Sequence, residues 1–279
     1  MSEGGRLVLC ATPIGNLGDV SSRLAEVLGD VDVIYAEDTR RTRVLLDHLG
    51  VETKSRSLFV GNEAGRTDEL LGNLAEGKSV ALVTDAGMPG ISDPGAEVVR
   101  RARQRGFRVS SVPGPSAVTT ALALSGMNAD RFSFEGFLPR KGDERLLRLE
   151  RLAADDRPTV VFVSPHRLTP DLRDIAEHTG PERRIAVARE LTKVHEEIWV
   201  GTVAEAIAEW EERPPKGEFT VVVSPGATRP ISIDQARAEA ADLVARGLTS
   251  SEAARQVARE SGLNRRDIYQ ALLNAQERS

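Results

Sequence analysis

Short aliphatic and β-branched runs recur along the chain at Arg6 to Ala11, Val31 to Ala36, Arg56 to Val60, Ser79 to Thr84 and Arg108 to Val112. They resume at Thr159 to Val163, Arg184 to Ala188, Glu197 to Val200 and Phe219 to Val223. Runs of this length bounded by turn residues predict strands. Between the strands, Asp19 to Gly29, Thr39 to Gly50, Thr67 to Gly77, Pro94 to Gly106 and Pro115 to Gly126 carry apolar residues at helical spacing. Each ends at or near a glycine, which a left-handed helix terminus prefers. The alternation predicts an α/β fold. The segment Phe137 to Gly142 interrupts it with Pro, Gly and charge, so two α/β domains are expected, at residues 1–136 and 137–230. After Pro230 only helical periodicity remains, predicting a small helical module over 231–279. There Thr249 and Glu252 form a capping-box pair, Ala253, Ala254, Val257 and Ala258 make an apolar stripe, and Gly262 can end that helix. Asn264 can cap a second helix carrying Ile268, Tyr269, Leu272 and Leu273, a helix-turn-helix pattern.

With 279 residues, 40% of them apolar, the chain can bury the cores of two domains. No apolar run approaches the ~20 residues of a membrane-spanning helix. Met1 to Arg6 leads into a strand-like run without the long apolar segment of a secretory signal, so a cytoplasmic location without membrane association is expected. The single cysteine, Cys10, sits among Leu7, Val8, Leu9 and Ala11 and reads as a small buried hydrophobe. A formal charge of −5 argues against a general electrostatic grip on nucleic acid. RNA contact would therefore use local patches, for which Arg40-Arg41-Arg43, Arg100 to Arg108, Arg140-Lys141 and Arg265-Arg266 are the candidates. Such clusters also serve as solvated helix faces.

In open α/β sheets ligands bind beyond the carboxyl ends of strands. Three strand-end loops there are rich in Gly and Pro: Thr12 to Asp19, Asp85 to Gly95, and Pro113 to Ala117. Glycine and proline let backbone N–H and C=O groups approach a ligand. S-adenosylmethionine suits such loops, because its sulfonium favours carbonyl oxygens and its carboxylate favours a helix N-terminus such as Ser116-Ala117. The expected cofactor residues are Pro13, Gly15, Asn16, Asp85, Gly87, Pro89, Pro115, Ser116 and Ala117. Asp93, followed by Pro94, reads as a helix N-cap. No dinucleotide or nucleoside-triphosphate loop, no hydrolase elbow and no metal-ligand spacing of the four histidines occurs, and no metal site is expected.

Six segments in order carry a resemblance: Leu9 to Leu17, Ala36-Glu37-Asp38-Thr39-Arg40, Asp85 to Gly95, Pro113 to Ala117, Glu135 to Pro139, and Ala188 to Lys193. Together they resemble the tetrapyrrole-methylase superfamily and, within it, the ribosomal small-subunit methyltransferase I group, which methylates the 2′-oxygen of a cytidine in 16S rRNA. The resemblance implies two α/β domains with S-adenosylmethionine in the cleft between them, commonly as a homodimer, acting on 16S rRNA, with assembled 30S subunits the favoured form of the substrate. Methylases of corrin or haem precursors share the first loop, the Pro113 to Ala117 turn and Lys216-Gly217-Glu218-Phe219. The segments at 36–40 and 189–193 point to the RNA branch, with Arg40, Arg41, Arg189 and Lys193 as its RNA contacts. The C-terminal module resembles that branch's extra domain, although its five Arg stand against four Asp and Glu from Thr249 onward. Its Arg255, Arg259, Arg265 and Arg266 are candidate phosphate contacts.

A ribose hydroxyl is a poor nucleophile until its proton is lost, so a base or electrostatic partner is expected beside it. Glu37, Asp38 and Lys193 are the candidates. Glu37 and Asp38 can instead cap the helix at Thr39 or pair with Arg40 and Arg43, and Lys193 can hold a phosphate; as a base it would have to be kept neutral by burial. Two other readings compete. A tetrapyrrole-precursor methyltransferase would have a deep apolar pocket beside the cofactor, and a non-catalytic RNA-binding assembly protein would not bind S-adenosylmethionine.

Overall fold

A computed structural model describes residues 5–226, 231–261 and 263–276. The expected boundary at Pro230, the expected helix end at Gly262 and the side chain of Arg259 lie outside the described residues. The first half comprises β1 (Arg6–Cys10), α1 (Ser22–Asp30), β2 (Val33–Ala36), α2 (Thr39–Leu49), β3 (Ser55–Ser57), α3 (Glu63–Ala75), β4 (Ser79–Val83), α4 (Ala96–Gln104), β5 (Arg108–Val112) and α5 (Ala117–Leu124). Its five strands form a parallel sheet in the order β3-β2-β4-β1-β5. Side chains alternate across each strand, so Val8, Cys10, Ala81 and Val83 meet α1 and α2 on one face. Leu7, Val80 and Leu82 meet α3 and α4 on the other. Both faces of the central strands are covered, which is why β1, β2 and β4 read as nearly unbroken apolar runs. Adjacent β1 and β4 send their following helices to opposite faces, which opens a crevice between the loops that leave them.

The second half comprises β6 (Ser133–Phe137), α6 (Asp143–Ala154), β7 (Thr159–Val163), α7 (Leu168–Thr179), β8 (Arg184–Arg189), β9 (Glu197–Thr202), α8 (Val203–Glu212) and β10 (Phe219–Val223). The sheet order is β6-β7-β10-β8-β9, with β6 parallel to β7 and the remaining pairs antiparallel. Because β6 already pairs with β7, the chain changes sheet within residues 125–132, ahead of the expected break at 137. Helices α6, α7 and α8 cover one face, around Trp210 and Phe219, whose rings meet edge to face at 5.2 Å. The buried Arg145 guanidinium ties this layer together: it reaches Asp171 at 2.7 Å and Asp174 at 2.5 Å on α7 and donates to the Pro139 carbonyl at 2.7 Å. The opposite face, through Val160, Ala186, Ala188 and Val222, packs on Val118, Ala121 and Leu122 of α5 and on Ile14. Helix α5 thus fixes the second sheet against the strand-end loops of the first.

The C-terminal residues form three helices, α9 (Ile233–Ala245), α10 (Ser250–Ser261) and α11 (Arg265–Gln276), around Ala236, Ala240, Ala253, Val257, Ile268 and Leu272. The Thr249–Glu252 box forms in both directions, and Asn264 accepts from the Arg266 N–H at 2.8 Å. The expected pair of helices is thus preceded by a third, α9, opened by its own capping box of Ser232 and Gln235.

Candidate functional site

The three Gly/Pro loops converge at the carboxyl ends of β1, β4 and β5. Thr12 and Gly87 exchange backbone hydrogen bonds of 2.9 and 3.1 Å, joining the first two loops. Gly87 takes φ 79° to do so, a conformation that disfavours a side chain. The third loop lies so close to the first that a Cβ on Gly114 would meet that of Ala11 at 2.9 Å. Between these loops and the ends of β7, β8 and β10 lies a cleft of about 380 Å³. Glu37, Arg41, Asp85, Gly87, Asp93, Ser116 and Ala117 line it from the first sheet, and Phe137, Phe162, Ser164, Leu191, Glu218 and Thr220 from the second.

The floor of the cleft is acidic. The hydroxyl of Thr84 lies 2.8 Å from a Glu37 carboxyl oxygen and 2.7 Å from one of Asp93. One hydroxyl hydrogen serves one acceptor, so both contacts are hydrogen bonds only when a carboxyl group carries a proton. Burial, reinforced by the charges of Glu37 and Asp85 against the opposing Thr84 hydrogen bond, pushes Asp93 up to about 6. Asp85 is also raised, by burial and Glu37, although it accepts from the Asp38 N–H at 3.1 Å and faces Arg41 at 3.2 Å. The N-cap expected of Asp93 is not observed: α4 begins at Ala96 behind Gly95, and the Asp93 carboxyl group turns to Thr84.

Backbone strain gathers on the same walls. Ser92, Glu190 and Thr192 have φ of 62°, 51° and 66°, left-handed values that disfavour side chains. Ser92 lines the cleft, and the other two flank Leu191, which does as well. Glu190 accepts from the Glu218 N–H and from the Lys193 ammonium, both at 2.8 Å, and Lys193 also reaches Glu218 at 3.0 Å. The Lys193 side chain crosses Gly15, where a Cβ would collide with it. Burial alone would lower the lysine's pKa, but its bonds to the two glutamates outweigh burial and hold it above the ordinary value. Lys193 is therefore held charged by two glutamates of its own half, its stem lying against Gly15 of the other, opposite to the neutral state that a base requires.

Asp85, Gly87, Ser116 and Ala117, of the expected cofactor residues, line the cleft; Pro13, Gly15, Asn16, Pro89 and Pro115 belong to the same loops but are not among its lining residues, and Gly15 and Asn16 are exposed. Asn16 spends its carbonyl on the Gly18 N–H at 2.9 Å. Glu37 lines the cleft, whereas Asp38 caps α2 by accepting from the Arg40 N–H at 2.8 Å and pairs with the Arg40 guanidinium, which holds it down at about 2. Arg40 is 90% exposed and Arg41 67% exposed at the rim. Arg189 is turned inward, donating to the Lys216 carbonyl at 2.9 Å and facing Glu197 at 3.3 Å. Sequence reasoning did not single out Phe137, Phe162, Ser164 or Glu218 for the site. The segments around Phe137 and Glu218 carried the resemblance, and Ser164-Pro165 is another proline-bearing strand-end loop; those signals were available.

Residues 6–207 match the family model described as Tetrapyrrole (Corrin/Porphyrin) Methylases. The chain is 48% identical over 273 residues to a ribosomal RNA small subunit methyltransferase I of Synechocystis sp., covering 96% of this chain and 98% of that protein. A protein of the same name from Thermotoga maritima is 48% identical over 220 residues, covering 79% of this chain and 98% of its own. Among solved structures, the methyltransferase CobJ superposes with a TM-score of 0.61 at 24% identity, covering 82% of this chain and 97% of that one, a likeness of fold.

Proposed function

The chain belongs to the tetrapyrrole methylase family and, within it, to the ribosomal RNA small subunit methyltransferase I group, and from that premise we propose 2′-O-methylation of a cytidine in 16S rRNA. It is a methyltransferase, and S-adenosylmethionine is its methyl donor. The relatives favour neither the tetrapyrrole-precursor reading nor the non-catalytic one. The observation that carries the reading is the match to rRNA methyltransferases along nearly the whole chain, through the segments 36–40 and 189–193 that wall the cleft.

The cleft fits the methyl donor by its donor set. Glu37, Asp85 and Asp93 supply negative charge for a sulfonium, and Ser116 leaves the first N–H groups of α5 uncapped for a carboxylate. When bound, S-adenosylmethionine supplies a methyl group on a positively charged sulfur. We assign Asp85, Gly87, Ser116 and Ala117 to its binding, with Pro13, Gly15, Asn16, Pro89 and Pro115 shaping the loops that carry or adjoin them. Glu37 is the carboxylate placed to take the ribose proton, because Asp38 is committed to its cap and Lys193 is held charged. Arg40 and Arg41, exposed at the rim, and Lys193 face the RNA side, while Arg189 buttresses that wall. The substrate in this reading is the assembled 30S subunit, modified by a homodimer in the cytoplasm. A net charge of −5 suits docking on a folded particle better than tracking bare RNA. No helix among the described residues is long and apolar enough to cross a membrane.

The test is transfer of label from S-adenosylmethionine to purified 30S subunits, followed by nucleoside analysis. Labelled 2′-O-methylcytidine is expected. Label on a base, or none on RNA, refutes the assignment.

A further inference from the structure

The geometry points to Phe137 as the surface on which the target nucleobase stacks when it is drawn out of the ribosomal RNA, an inference that rests on the rRNA reading above. Strand β6 is short and at the sheet edge, and its register on β7 slips between Phe134 and Gly136. In a regular strand, residues three apart point to opposite faces. The bulge adds one residue, so Phe134 pairs with Val160 and Phe137 with Phe162, and both phenylalanines emerge on the same face. Their rings flank Phe162 at 4.9 and 5.6 Å. Gly136 makes the bulge with φ 62°, and a Cβ there would lie 3.0 Å from the Ser92 hydroxyl oxygen across the cleft.

The bulge thus carries an aromatic side chain to the cleft and leaves it 57% exposed. Ile91, 50% exposed and beside the strained Ser92, lines the same cleft from the first half. The lining thus combines exposed apolar side chains with the carboxyl groups of Glu37, Asp85 and Asp93. Phe59 and Phe132 are also exposed, at 46% and 38%, but neither lines the cleft; of the exposed phenylalanines Phe137 is the one that the bulge brings there. A planar base meets both needs of such a site: its face stacks on the ring, and its ribose extends toward Glu37 on the floor. Sequence-specific RNA modules bind unstacked bases on aromatic rings in this way. The donor's own adenine is the other planar group available to Phe137, and the experiment separates the two.

Phe137→Ala, Phe137→Leu and Phe137→Trp proteins are compared with the unaltered protein for S-adenosylmethionine affinity by calorimetry and for kcat/KM on 30S subunits. Loss of one stacked base predicts a fall in kcat/KM of about 10- to 100-fold for alanine with cofactor affinity unchanged. Tryptophan should restore most of the rate and leucine should not. Full activity of the alanine protein overturns the inference, as does a parallel loss of cofactor binding, which would assign the ring to adenine. Rescue by leucine as complete as by tryptophan would reduce Phe137 to an apolar seal and also overturn it. An unaltered protein that methylates no RNA removes the parent reading instead, a result distinct from each of these.

Discussion

Replacing Asp93 with asparagine should stabilise the protein at neutral and alkaline pH and leave it unchanged in acid. The carboxyl group shares the Thr84 hydroxyl with Glu37, and burial with the neighbouring charges lifts its pKa from 3.8 to about 6. A folded pKa above the unfolded one means that folding disfavours the ionised form. Below pH 4 the group is protonated in both states and nothing is lost. From pH 4 to 6 stability falls, and above 6 the full penalty persists. A pKa difference of about two corresponds to about 3 kcal/mol, reduced to roughly 1–2 kcal/mol because solvent reaches this half-buried side chain. Asparagine keeps the shape, and its amide can donate to Thr84 while Thr84 donates to Glu37. For a chain of this size the gain predicts a melting temperature roughly 3–6 °C higher at pH 8, with no difference at pH 3.5. Calorimetric melting of both proteins across that range is the assay. A difference that does not change with pH, or a destabilised variant at pH 8, would show that the carboxylate is favourably held and that the shared-proton account is wrong. A confirmed gain would mark Asp93 as a residue kept at the cleft against stability.

Gly87→Val forces a β-branched residue to φ 79° beside Ile14 and Pro115, and Ser116→Leu crowds the start of α5; each should weaken S-adenosylmethionine binding by about tenfold or more while the circular dichroism spectrum is largely kept. Undiminished affinity in both would move the cofactor elsewhere. A chain ending at Gly226, which retains that residue's N–H bond to the Asp155 carbonyl, should fold and bind cofactor, because α9 to α11 have their own core. It should methylate 30S subunits poorly, with a salt slope lower by about one for each phosphate that the shortened chain no longer neutralises; full turnover would make the helical module dispensable. Cys10 is fully buried, and desolvation pushes its thiol up to about 12. A thiol reagent at pH 8 should therefore label it only on unfolding, and rapid labelling of the folded protein would contradict its burial.

The local pattern of the chain determined its layers. Parallel strands covered on both sides must be apolar on both faces, so β1, β2 and β4 were legible as runs, and the glycines at 50, 77, 106 and 126 marked helix ends. The capping box at Thr249 and the cap at Asn264 were equally local and equally readable. Glycine and proline in the loops after β1, β4 and β5 signalled close backbone approach, and the resemblance supplied the chemistry. What those residues face depended on strand order, which periodicity does not encode. Thr84 lies 47 residues from Glu37, yet β2 and β4 are neighbours, and only that adjacency brings Glu37 to the hydroxyl that Asp93 also reaches. Asp93 is a shorter-range case: Asp-Pro before a helix is a sound local cap signal, but the loop after β4 turns the carboxyl group back to Thr84, nine residues earlier, a fold of the loop that periodicity does not encode. The direction of Phe137 depended on a one-residue slip against β7, since alternation along β6 alone puts it on the opposite face from Phe134. The charged state of Lys193 likewise follows from Glu190 and Glu218, which the turn after β8 and the start of β10 bring within reach.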